Sequence, residues 1–81
     1  MFDDLMRIFV KLDFFKSLVN IGLLDSTCNA ILKMYNICLD FERLFDKKDF
    51  KNNEIDKLFD LNIQFETLKF YLYTQIKKKE V

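Results

Sequence analysis

The sequence predicts an all-α fold, a three-helix antiparallel bundle with helices at about 2–20, 25–48 and 53–79, making one domain over residues 1–81. Three observations lead there. Apolar side chains return every three or four residues along nearly the whole chain, the spacing of a helix face. The chain is punctuated at two places only, one holding the sole glycine and the other an asparagine pair, and it has no proline. Apart from isoleucine, β-branched residues are few, and no segment alternates with period two for long.

Each element follows from its own spacing. On the first helix Leu5, Phe9, Leu12 and Val19 share one side, while Val10, Phe14, Leu18 and, near its end, Ile21 share the other. The first break spans Asn20 to Thr27. Gly22 suits the left-handed residue that closes a helix, and Asp25 or Ser26 suits the N-cap of the next. On the second helix Cys28, Ile31, Leu32, Tyr35, Cys38 and Leu39 form one stripe; Ala30, Met34, Ile37, Phe41 and Leu44 form another, spaced like a heptad seam. Asn29, Lys33, Asn36, Asp40, Arg43 and Lys47 make its solvent face. Asn52 and Asn53 before Glu54 mark the next stop and cap. The third helix carries Leu58, Leu61, Phe65, Leu68, Leu72 and Ile76 on one stripe and Phe59, Ile63, Phe70 and Tyr73 on a second. Between them runs a polar seam of Asn62, Glu66 and Lys69. Lys77, Lys78 and Lys79 sit where positive charge favours a helix C-terminus.

One apolar stripe a little over 100° wide is enough for an amphipathic helix in a small monomer. All three helices exceed it. A domain of this size has too much surface for its volume to bury every large side chain, and ten phenylalanines at roughly 150–250 Å² each sharpen the shortage. The surplus points to self-association, a homodimer through the second apolar stripe, or to another protein partner. Aromatic anchors concentrate interface energy, so the candidate interface residues are Phe41, Phe59, Ile63, Phe70 and Tyr73. The seam is expected to stay wet or to rim that interface, because buried polar groups need partners.

The inventory argues against an enzyme. There is no histidine, the commonest general base and metal ligand. Cys28 and Cys38 do not match the close pairs of zinc sites, and one glycine is a poor start for a phosphate-cradling loop. On one helix ten residues separate the two thiols by about 15 Å of rise, beyond disulfide reach. Carboxylates one turn apart, Asp56 with Asp60 and Glu42 with Asp46, lie beside Lys57, Arg43 or Lys47 and read as solvated ion-pair faces. No catalytic residue, cofactor or metal ligand is assigned.

Residues Leu18 to Leu32 resemble a helix-turn-helix: a turn glycine with apolar residues on both sides, a Ser-Thr helix start, and Cys28 and Ile31 at second-helix core spacing. The resemblance implies a DNA-binding regulator in which Ser26, Thr27, Asn29 and Lys33 contact bases or phosphates. It ranks second. Bulky Leu18 stands where a small residue usually permits close crossing, and basic residues do not cluster there.

Thirteen basic and thirteen acidic residues cancel, so no net charge draws the chain to nucleic acid or to an anionic membrane. Asp3 and Asp4 stand where a secretory leader would be positive, and the longest apolar run, Phe70 to Tyr73, has four residues where a membrane span needs roughly 18. A cytoplasmic protein is expected. Abundant Lys, Asn, Ile and Phe reflect an AT-rich coding sequence. The sequence thus predicts a non-enzymatic protein-protein interaction module, in its most concrete form a virus- or phage-encoded inhibitor or adaptor acting on a host protein.

Overall fold

In a computed structural model, residues 2–46 and 52–79 are described, with Asn52, Lys78 and Lys79 by backbone alone. They form three helices: α1 (Phe2–Asn20), α2 (Asn29–Phe45) and α3 (Asn52–Lys79). The bundle measures 47 × 23 × 20 Å, its long dimension set by α3, which at 28 residues rises about 42 Å.

The turn after α1 ends as its glycine predicts. Gly22 has φ +81°. Its N–H donates to the carbonyl of Val19 at 3.1 Å and the N–H of Leu23 donates to that of Leu18 at 3.0 Å. This is the Schellman pairing, and the left-handed residue it needs costs glycine nothing. The start of α2 differs from expectation. Asp25 does not open the helix; its carboxylate accepts from the N–H of Thr27 at 2.9 Å and from the Thr27 hydroxyl at 2.6 Å. The cap-like chemistry is therefore used in a turn, and the helix begins at Asn29, with Cys28 as an N-cap that makes no side-chain bond. At the other end α2 runs to Phe45 with Asp46 as C-cap; the expected limit at Lys48 lies outside the described residues.

All three helices lie alongside one another. Phe2 and Phe9 of α1 stack on Phe45 near the end of α2, at 6.4 and 4.9 Å between ring centres. At the opposite end the Tyr35 hydroxyl donates to Asn20 at 2.9 Å. The two helices are therefore antiparallel. The start of α2 likewise shares a cleft with Leu72 and Ile76 of α3, and its end shares one with Lys57 and Leu61.

The core sits between them: Leu5, Ile8 and Leu12 from α1, Met34, Ile37, Cys38 and Phe41 from α2, Leu58 and Phe65 from α3. On α3 the Phe65 stripe faces inward as expected, with Leu61, Leu68 and Leu72 half-buried against the core. Its last member, Ile76, is exposed. On α2 the heptad-like stripe is the core seam, joined by Ile31 and Cys38, while Leu32 and Leu39 turn outward. One interface assignment is corrected here. Phe41 is 1% exposed; it stacks on Phe45 at 5.8 Å. The reason is position: α2 lies between α1 and α3, so both its flanks are used internally.

Candidate functional site

The site is the outer flank of α3. Ile63, Phe70 and Tyr73 are 62%, 72% and 56% exposed. At 100° per residue these three, with Phe59, fall on one side of the helix. Phe59 is half-buried against the core and forms the inner edge of the surface. Four of the five expected interface residues thus share one flank, three of them fully at the surface. Glu66, Lys69, Phe70 and Tyr73 line a shallow groove there.

Why the flank is bare follows from where α1 lies and where it stops. The sequence leaves Asn62, Glu66 and Lys69 wet or rimming an interface; the structure keeps Lys69 exposed and Glu66 partly so, and brings Lys11 of α1 to Asn62 and Glu66. Lys11 donates to Asn62 Oδ1 and, at 2.6 Å, to Glu66 Oε1, with its amine 5.6 Å from the centre of the Phe65 ring. Lys69 takes the other carboxylate oxygen of Glu66 at 3.1 Å. Asn62 and Glu66 are therefore a polar latch onto α1. Phe15 meets Phe65 edge-on at 5.1 Å beside it. Extending the Phe15–Phe65 register at equal rise brings Asn20, the last residue of α1, level with Phe70. Beyond that point α1 no longer flanks α3.

The polar groups around the flank are satisfied locally. Thr67 and Thr74 donate back to the carbonyls of Ile63 and Phe70, both at 2.9 Å. Gln64 donates to Asp60 at 2.7 Å, and the Lys77 amine lies 4.8 Å from the centre of the Tyr73 ring, a cation–π contact. What faces outward is apolar and aromatic, with few competing polar groups.

A second latch holds α1 to α2. Lys16 pairs with Glu42, and Asp13 lies 3.9 Å from the same amine. The hydrogen bond to Glu42 raises the Lys16 pKa, against the opposing effect of burial. The bond from Lys11 holds Glu66 below the usual glutamate range, with Lys69 adding to it and burial opposing. Neither Lys11 nor Lys16 stands out in the sequence as functional. Their only signal is position, a cation flanking the inward stripe of α1 where another helix offers a carboxylate.

The alternative DNA contacts, Ser26, Thr27, Asn29 and Lys33, are all exposed. They do not form one helix face. Ser26 and Thr27 lie in the turn, where Thr27 is bonded to Asp25 and lowers that carboxyl's pKa; Asn29 and Lys33 lie on α2. Helix-turn-helix pairs cross at about 90–120°, whereas α1 and α2 run side by side.

As to reactive groups, burial pushes the Cys38 thiol up to about 12, so at neutral pH it is protonated and packed. Among the described residues no three His, Cys, Asp or Glu side chains come together as metal ligands, and no helix is long and apolar enough to cross a membrane. Compared with protein-family models, with curated proteins and with solved structures, the chain matches none.

Proposed function

We propose that the chain is a non-enzymatic protein-binding module whose contact surface is the outer flank of α3. One observation carries this reading: Phe70, Tyr73 and Ile63 stand exposed together on a single helix flank that continues past the end of α1. Scattered exposed apolar residues are ordinary. Three on one flank of one helix, two of them aromatic, have the composition of an interface core. Burying a side chain such as Phe70 contributes about 2 kcal/mol, so the flank is a strong anchor for a complementary surface. An inhibitor or adaptor that acts by occupying another protein's surface needs no more chemistry than this.

The test is Phe70→Glu, assayed for helicity and for association. The variant should keep its helical circular dichroism and its melting temperature while losing self-association and partner capture. Loss of the helices would assign Phe70 to the core. Unchanged association in a folded variant would put the contact surface elsewhere.

A further inference from the structure

The outer flank of α3 has a spacing and a charge order that identify what covers it, and this step rests on the protein-binding reading above. Asp56, Phe59, Ile63, Glu66, Phe70, Tyr73 and Lys77 follow one another at steps of 3, 4, 3, 4, 3 and 4. Four of the seven, Phe59, Ile63, Phe70 and Tyr73, are apolar and keep the spacing that holds one helix against another; Asp56 and Lys77 close the row at its ends, and Glu66 at its centre is the residue held by Lys11. Charge along α3 is polarised as well. Residues 54–66 hold Glu54, Asp56, Asp60 and Glu66 against the single Lys57; residues 67–79 hold Lys69, Lys77, Lys78 and Lys79 and no acid. Asp56 and Asp60 are exposed and have no cation within ion-pair distance among the described residues.

From this we infer that the flank is covered by a second copy of the same chain, with the two α3 helices antiparallel about a two-fold axis near Leu68. Parallel pairing would set three lysines against three lysines at the C-terminal ends. Antiparallel pairing lays the basic end of each helix over Asp56 and Asp60 of the other. With the axis near Leu68 the outer layers match by chemistry, while at the centre Phe70 comes level with Glu66 of the second copy. Ile63 faces Tyr73 of the second copy, and Lys77 comes level with Phe59 between Asp56 and Asp60. The Ile63–Tyr73 layer occurs twice, once on each side of the axis. Each α1 stops level with Phe70, so the two α1 ends come together beside the axis, overlapping by only about one helical turn. Ile21 and Leu23, 68% and 70% exposed at that end, gain cover there. The contact is one helix wide, and a dimer in the micromolar range is expected for so narrow an interface.

Sedimentation equilibrium on the wild type should show a monomer–dimer equilibrium that weakens with salt. Lys77→Glu should raise the dimer dissociation constant roughly fivefold to tenfold, because the contact occurs twice. Adding Asp56→Lys to it should recover most of the loss. Spin labels on a Cys28→Ser background then fix direction. Antiparallel helices should bring labels at Thr67→Cys within about 15 Å and hold those at Lys57→Cys about 35 Å apart. Equal short distances at both positions would mean parallel helices and overturn the proposal. So would a dimer indifferent to Lys77→Glu. A wild type that stays monomeric at high concentration would overturn self-pairing while leaving the protein-binding reading to the Phe70→Glu capture assay. A dimer unaffected by Phe70→Glu would sink both.

Discussion

Phe41, Phe65 and Phe70 show how far one residue type diverges by position. All three are aromatic, mid-helix and at helical spacing from other apolar residues, yet two are closed from solvent and one is largely exposed. The energetic consequence is unequal. Phe41→Ala and Phe65→Ala each remove a ring from a packed site and should cost about 3–5 kcal/mol. Phe70→Ala removes a ring from water and should fall within about 0.5 kcal/mol. Urea unfolding at a concentration where the chain is monomeric separates the two classes. A mild Phe41→Ala would restore it to the outer surface. The sequence placed Phe65 inward and Phe70 outward on α3 but misplaced Phe41. A period of 3.6 places a residue on a face, but which face looks inward depends on where the other helices lie. On α2, flanked on both sides, that information is tertiary.

At the scale of elements, α1 is the helix whose attachment is most chemical. Lys11 ties it to α3 and Lys16 ties it to α2. Gly22 made the end of α1 legible, because a left-handed stop has few other solutions. Asp25 misled on the start of α2, since a residue that caps a helix caps a turn equally well. The polar seam was legible as a seam but not as a latch, because nothing near Asn62 or Glu66 in the chain names Lys11, some fifty residues away. Both latches carry a pH signature. Glu66 is lowered in the folded state, so its contribution is complete above the ordinary glutamate value near 4.5 and is lost as pH falls through the lowered one. Lys16 is raised, so its contribution is complete below 10.5 and is lost as pH rises through the raised value. The Lys11–Glu66 pair is more than one-third exposed on both sides, which limits it to about 1 kcal/mol or less. Glu66→Gln should therefore lower the melting temperature slightly at neutral pH and flatten its fall on the acid side. Identical acid limbs in variant and wild type would mean that the latch contributes nothing to stability.

Taken whole, the molecule distributes charge in a way that bears on the DNA-binding alternative. Duplex binding draws its affinity from cations gathered over phosphates, and here the net charge is zero. Where a recognition helix would begin, Asp25 stands beside Ser26 and Thr27 with its carboxyl held ionised by the Thr27 bonds. Lys33 is the only cation among the four candidate contacts. The two helices that would form the motif lie along each other, with contacts near both ends. A mixed-sequence duplex should accordingly show no change in fluorescence anisotropy with this protein at low ionic strength, where electrostatic binding is strongest. Lys33→Ala should leave that result unchanged. Binding that falls steeply with salt and weakens in Lys33→Ala would reverse the assignment: residues 17–33 would then be the working surface, and the aromatic flank of α3 would have to be explained as something other than the site of action.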